Sequence, residues 1–230
     1  MNKEGVIIYS GGMDSTTLLY QRQAEIALAI SFDYGSNHND REFEYAKYHT
    51  EKLGIEHIRL DIKGIMGYFN SGLLNGADSI PDGHYADDSM AKTVVPFRNG
   101  IMLSIAAGVA ESRKLKKLFI ANHFGDSSQY PDCTFAFAYA MGEAVREGTS
   151  NSVSIIAPYT SITKEDIAEI GHELVEFEKT WSCYKANAKH HCGKCGTCVE
   201  RIWSLRNCND MTIYEDKQFA IDILKEKGEW

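Results

Sequence analysis

The sequence predicts an α/β fold: a doubly wound parallel sheet of five strands, with a small helical, metal-binding region at its C-terminal end. Three observations carry the prediction. Short, β-rich apolar runs alternate with helix-type segments, the order expected of a parallel sheet covered on both faces. A glycine turn, Ser10-Gly11-Gly12-Met13-Asp14-Ser15, follows directly on the apolar run Val6-Ile7-Ile8-Tyr9. Four of the six cysteines, Cys183, Cys192, Cys195 and Cys198, gather late in the chain.

In chain order, strands are expected over residues 6–9, 27–32, 57–60, 117–121 and 153–157. Helices are expected over 15–24, 40–53, 99–111, 134–147 and 164–174. The last of these has a defined start, because Thr163-Lys164-Glu165-Asp166 has the form of a capping box. Between residues 64 and 94 glycine, asparagine, aspartate and serine are dense and no period is sustained. A connection of that length reads as a lid or a flexible insertion. After Cys208 one amphipathic helix is expected around residues 212–225. The organisation is thus an α/β body over 1–178, carrying a lid-like insertion at 64–94, and a metal-binding region with a C-terminal helix over 179–230.

At 230 residues, the chain is long enough to bury a proper core. Its 24 Lys and Arg against 32 Asp and Glu leave a net charge of -8, which argues against a phosphate-tracking surface and against a direct nucleic-acid partner. The basic run Arg113, Lys114, Lys116 and Lys117 reads as a solvated helix end. No run approaches the ~18 apolar residues of a membrane helix, and Met1-Asn2-Lys3-Glu4 leads straight into the first strand. A cytoplasmic protein with no membrane partner is expected.

A strand running through a glycine turn into a helix brings backbone N–H groups, and here the hydroxyls of Ser10 and Ser15, to a helix N-terminus. Phosphate is favoured there. The turn lacks the lysine of the G-x-x-x-x-G-K-[ST] loop and is not G-x-G-x-x-G. Its alternative reading is a tight turn with Asp14 or Ser15 as helix cap.

The cysteines are spaced Cys183-x8-Cys192-x2-Cys195-x2-Cys198, with Gly193 and Gly196 permitting the turns between them. Four thiolates with no open position suit structural zinc; an iron–sulfur cluster or a sulfur-shuttling redox pair are the rivals. His190 and His191 read as flanking basic residues, and Cys208 as an ordinary thiol. Cys133, in a candidate active-site loop, stays open as a reactive thiol.

Ligands of open α/β sheets bind at the strand carboxyl ends. The loops expected there are Phe32-Asp33-Tyr34-Gly35 with His38, Asn122-His123-Phe124-Gly125-Asp126 with Tyr130-Pro131-Asp132-Cys133, and Pro158-Tyr159.

Ser-Gly-Gly-x-Asp-Ser resembles the pyrophosphate loop of the ATP pyrophosphatases, whose sheet is Rossmann-like. Over nearly its whole length the chain resembles the 7-cyano-7-deazaguanine synthase (QueC) family. The resemblance is carried by residues 10–17, Phe32-Asp33-Tyr34-Gly35 with His38, Val95-Pro96-Phe97-Arg98-Asn99, Tyr130-Pro131-Asp132-Cys133, Thr180-Trp181-Ser182-Cys183-Tyr184, and Cys192-Gly193-Lys194-Cys195 with Cys198 and Arg201. It implies an ATP-dependent ligase that adenylates 7-carboxy-7-deazaguanine, lets ammonia displace AMP to give an amide, and dehydrates the amide to the nitrile, preQ0.

The resemblance also implies residue roles. Ser10, Gly11, Gly12, Asp14 and Ser15 would hold the ATP phosphates, Asp14 through Mg²⁺, and Phe32 would face the adenine. Arg98, with Asn99 at a helix start, would clamp developing charge, so that Asp14, Ser15 and Arg98 form the catalytic set. His38, Tyr130, Asp132 and Tyr184 would bind the deazaguanine. The four cysteines would hold Zn²⁺, and the chain would pair as a homodimer.

The sequence departs from the family pattern at three places. Ser36-Asn37 stand where Gln-Arg is usual, Thr134 stands where an arginine follows the Tyr-Pro-Asp-Cys motif, and Met90-Ala91-Lys92-Thr93 replaces Pro-Ser-Thr before the Val-Pro motif. The lost arginines raise a second expectation: a QueC-like enzyme of an antiviral defence system that joins the activated acid to an amine of a partner protein. A third class, tRNA thiolation, is opposed by the acidic balance and the closed cysteine set.

Overall fold

A computed structural model describes residues 3–74, 80–125, 130–185 and 189–230. Met1 and Asn2, residues 75–79 of the expected insertion, and Asp126, Ser128 and Gln129 of the loop after the fourth strand lie outside the described residues.

The chain runs β1 (Gly5–Ile8), α1 (Met13–Gln21), β2 (Ile26–Asp33), α2 (Asn39–Leu53), β3 (Glu56–Asp61), α3 (Lys63–Met66), α4 (Arg98–Ser112), β4 (Lys117–Phe119), α5 (Phe135–Gly148), β5 (Ser154–Ile156), α6 (Lys164–Gly171), α7 (Gly196–Ser204) and α8 (Lys217–Lys227). The five strands form one sheet in the order β3-β2-β1-β4-β5. All pairings are parallel, with Val6 opposite Leu28 on one side and Leu118 on the other. From β1 the chain winds outward to β3, then crosses to β4 and winds the other way. The order therefore reverses between β1 and β4, where a crevice opens at the carboxyl ends.

Alternation along each strand divides the core between two faces. Val6, Leu28, Ile30 and Leu118 pack on Met102, Leu103, Ala106 and Ala110 of α4. Ile7, Ala29 and Phe119 pack on Leu18 and Leu19 of α1, Ala46 of α2 and Ile167 of α6. The sheet is doubly wound, as expected. The stretch Ser89–Ser112 is long and apolar enough to cross a membrane by length and composition, with a mean hydropathy of 1.3. In the fold its helical core, α4, packs one face against the sheet.

Three expectations about elements are corrected. The tail helix begins at Lys217, not 212, because Asp216 caps it by accepting from Phe219 N–H at 3.1 Å. The preceding residues are extended: His191 N–H donates to Ile213 and Glu215 N–H to His191. A further helix, α7, follows Cys195; its glycine–cysteine start carries no capping signature. Helices α1 and α6 end about three residues early, α1 in a turn where Glu25 N–H donates to Arg22 and α6 in one where Leu174 and Val175 N–H both donate to Gly171. At α6, Thr163 and Asp166 do form the reciprocal capping box.

The described part of 64–94 is packed. Met66, Leu73, Ile80 and Met90 are buried. Gly72 N–H donates to Lys92 across the segment, and Gly83 N–H donates to Lys194. Trp181 and the four clustered cysteines belong to the same core as Val6 and Leu118, so the cysteine region is continuous with the sheet.

Candidate active site

A cleft opens at the carboxyl ends of β1, β2 and β4. Its floor is the glycine turn. Gly11 has φ +85, and a Cβ there would lie 2.4 Å from the Glu42 carbonyl oxygen, so the turn is pressed against α2. Gly12 N–H donates to Ser10 Oγ at 3.1 Å, Ser10 and Ser15 hydroxyls meet at 3.1 Å, and Ser15 Oγ donates to Gly12 O. Gly12 is the N-cap of α1 and no side chain caps the helix. Neither Asp14 nor Ser15 takes the capping role of the alternative reading. The first turn of α1 is left as an anion-favouring N-terminus.

Asp14 faces two ways. Its Oδ2 lies 3.4 Å from Lys164 Nζ, which also meets Glu200 Oε2 at 2.7 Å. Its Oδ1 is buried with no hydrogen-bond partner among the described residues. A buried carboxylate oxygen without a donor fits a hard cation such as Mg²⁺, which takes one or two carboxylates beside phosphate oxygens.

The loop after β2 is folded by Asn39, whose Oδ1 accepts from Tyr34 and Ser36 N–H at 3.1 and 3.0 Å. This carries His38 and Glu42, one helical turn apart, to the cleft. His38 is 2% exposed. Burial, with the Arg98 charge nearby, pulls its proton affinity down to about 3, so the imidazole is neutral. Its ring stacks on Tyr184 with centroids 4.9 Å apart. Glu42 Oε2 lies 3.7 Å from His38 Nε2. Burial raises the Glu42 carboxyl to about 8, against the opposing pull of Arg98 and Asn39.

Arg98 opens α4 behind Phe97, a non-glycine residue at φ 52, where an L side chain is strained. Its Nη1 donates to Tyr34 Oη at 3.4 Å, with the guanidinium 5.6 Å from the Tyr34 ring centre. Asp132 satisfies the helix start: its Oδ2 accepts from Asn99 N–H at 2.8 Å. Asn99 Nδ2 donates in turn to the Asp132 carbonyl and to Cys133 Sγ.

Of the residues expected at the site, Ser10, Gly12, Asp14, Ser15, Phe32, His38, Arg98, Asn99, Tyr130 and Tyr184 line one cleft. Gly11, within the turn, faces α2 rather than the cleft, and Asp132 is turned to the α4 backbone instead of the cleft lining. The lining also includes Glu42, Lys164 and Asn122, to which the sequence assigned no role, and Cys133, left open as a reactive thiol. Glu42 and His38 are i and i+4 on a helix, the one sequence signal that joins them. Asn122, 7% exposed, donates to the Cys133 carbonyl at 2.9 Å, while its Oδ1 is buried and unpartnered among the described residues.

Beside the cleft, the Sγ atoms of Cys183, Cys192, Cys195 and Cys198 all lie within 4.8 Å of one another, and all four residues are buried. Cys192 and Cys198 sulfurs are 3.8 Å apart, Cys183 and Cys195 sulfurs 4.0 Å. Zinc–sulfur bonds of about 2.3 Å in a tetrahedron require sulfurs about 3.8 Å apart. Backbone N–H groups of Lys194 and Cys195 donate to Cys192 Sγ, each at 3.3 Å, which favours the thiolate. The set fits one closed tetrahedral ion, zinc by its donors. His191 is occupied otherwise, its Nε2 accepting from Ser182 N–H at 3.2 Å and its ring lying 4.4 Å from that of Trp181. Buried Arg201 ties the region together, donating to the Thr180 and Ser182 hydroxyls and the Thr212 hydroxyl.

A family model described as "Queuosine biosynthesis protein QueC" matches residues 4–209. The chain belongs to the QueC family. Among its QueC relatives, the 7-cyano-7-deazaguanine synthase of Porphyromonas gingivalis (strain ATCC BAA-308 / W83) is 55% identical over 216 residues, covering 93% of this chain and 98% of the relative. That of Desulfotalea psychrophila is 47% identical over 207 residues, covering 89% and 94%. That of Rhizobium johnstonii is 41% identical over 221 residues, covering 93% of each. Membership in QueC places the chain, as an enzyme, in queuosine biosynthesis.

Proposed function

We propose that this QueC-family enzyme is an ATP-dependent ligase: it adenylates 7-carboxy-7-deazaguanine and converts it with ammonia, through the amide, to 7-cyano-7-deazaguanine. The observation that carries the reading is the convergence, in one cleft, of an uncapped α1 N-terminus with the Arg98 guanidinium. The first suits a triphosphate, the second the anion that must meet it.

In this reading Ser10, Ser15 and the N–H groups of the α1 start hold the ATP phosphates. Asp14, through its unpartnered oxygen, would hold Mg²⁺, which when bound supplies charge neutralisation to the phosphates. The substrate carboxylate oxygen attacks the α-phosphorus, forming a P–O bond as pyrophosphate leaves with the electron pair of the broken one. Arg98 offsets the charge that gathers as the two anions meet. Catalysis then rests on positioning and charge neutralisation. Ammonia attacks the acyl carbon and AMP departs, giving the amide. A second adenylation, of the amide oxygen, lets the nitrogen lose its protons and AMP leave, giving the nitrile. The stacked His38–Tyr184 pair supplies a flat face for a bicyclic base.

Incubation with the 7-carboxy acid, ATP and ammonium, followed by mass spectrometry, tests the reading. Amide and then nitrile should form, with AMP and pyrophosphate released only when the acid is present. ATP turnover indifferent to the acid would refute it. Product formed only when a protein amine is supplied would assign the defence-type acceptor instead.

A further inference from the structure

We propose that Glu42 is the proton acceptor for the amine that attacks the activated acyl group. The inference rests on the adenylating reading above and deepens it by naming the base of its second step.

Three placements support it. The Glu42 carbonyl is pressed against Gly11, so this turn of α2 packs on the turn assigned to the phosphates. The carboxyl lines the cleft and stands 3.7 Å from His38 Nε2, whose ring carries the stacked Tyr184. Arg98, which lines the same cleft, acts on the Glu42 charge. Glu42 therefore shares one cleft with the groups assigned to ATP and those assigned to the base.

An acyl adenylate needs such a group when an amine attacks it. The nitrogen lone pair forms a C–N bond, and the bond from acyl carbon to the AMP oxygen breaks with its electron pair on AMP. The nitrogen is left with a positive charge until it gives up a proton. Glu42 takes that proton on a carboxylate oxygen and returns it to solvent before the next turnover. The same step is required whether the amine is ammonia or a protein side chain.

The other titratable groups around it are less suited. His38, from the same helix end, is held neutral with a proton affinity too low for a useful base. Asp14, across the glycine turn, is paired with Lys164. Arg98 and Tyr34, from α4 and the β2 loop, are donors at neutral pH. Glu42 combines access to the cleft with a proton affinity lifted toward neutrality by burial, the condition for effective base catalysis.

The test separates the two half-reactions in the full-length Glu42→Gln protein. Acid-dependent exchange of labelled pyrophosphate into ATP, without ammonium, reads adenylation. Amide formation with ammonium reads aminolysis. Calorimetric ATP binding confirms an intact cleft. Glu42→Gln should exchange pyrophosphate and bind ATP like the parent while amide formation falls about 100-fold or more. Hydroxylamine, a nucleophile that sheds its proton far more readily than ammonia, should restore acyl transfer as the hydroxamate. Amide formation at the parental rate, or exchange falling in step with amide formation, would overturn the assignment. Absence of exchange in the parent protein would instead remove the adenylating reading, and this inference with it.

Discussion

Lys164 reaches Asp14 from the first turn of α6, with Nζ 3.4 Å from Oδ2, and the same ammonium meets Glu200 of α7 at 2.7 Å. One cation thus links the glycine turn to the helix that carries Cys198. Lys164→Met leaves two carboxylates without their counter-charge, and a hydrogen bond to a charged group is worth about 1.5–3 kcal/mol. ATP affinity should fall about tenfold or more by calorimetry. Unchanged affinity would show that Asp14 does not depend on the lysine.

Gly11 and Gly12 separate backbone demand from ligand demand. Alanine at Gly11 would hold φ +85 and overlap the Glu42 carbonyl at 2.4 Å. The left-handed conformation alone costs about 1–2 kcal/mol, so Gly11→Ala should lower the melting temperature by about 4 °C or more. At Gly12 the backbone is extended, φ -75, and the nearest atom to an added Cβ is Ser10 Oγ at 3.1 Å. Gly12→Ala should melt close to the parent but bind ATP more weakly, because the methyl enters the cleft. Calorimetry and thermal melting on both variants check the contrast.

The cysteine set predicts one zinc per chain by elemental analysis and its loss in Cys195→Ser. Trp181 and the cysteines share a core with Val6 and Leu118, so metal loss should spread. Hydrogen exchange should show residues 181–216 losing protection first, with the melting temperature of the whole protein falling after chelation. A protein stripped of zinc that melts unchanged would exclude a structural role.

These sites differ in how far they could be read from the chain. The glycine turn and the C-x2-C-x2-C run are local: spacing alone sets where their N–H groups and sulfurs go. The doubly wound parallel sheet followed from alternating element types; its strand order, β3-β2-β1-β4-β5, is set by the three-dimensional pairing. Glu42 was hidden in Asn39-Asp40-Arg41-Glu42-Phe43-Glu44, a run with the composition of a solvated helix face. Its side chain is only 16% exposed because the start of α2 packs at the cleft beside His38. Lys164 was legible as a capping-box residue, and its meeting with Asp14 and Glu200 depends on three elements distant in sequence. Asp132 shows the converse. Its residue type suited base recognition, but the start of α4 has no side-chain cap of its own and the Asp132 carboxylate supplies the acceptor. Helix α7 was not legible because a cysteine-bearing turn, rather than a polar cap, initiates it.

Glu42 and His38 make opposite demands on pH, and the signs can be followed separately. The folded state holds the Glu42 proton to about 8 against 4.5 in an ordinary carboxyl, because burial disfavours the charge. Its contribution to stability is complete below 4.5 and is lost as pH rises through about 8. His38 is held at about 3 against 6.5, by burial first and Arg98 second. Its contribution is complete above 6.5 and is lost as pH falls through 3. Glu42→Gln removes the first dependence and keeps the second. Its melting temperature should therefore gain on the parent steadily between pH 5 and pH 8.5, while both proteins lose stability together on acidification below pH 6. A melting-temperature difference that stays flat from pH 5 to pH 8.5 would mean that Glu42 is ionised throughout, with Arg98 outweighing burial.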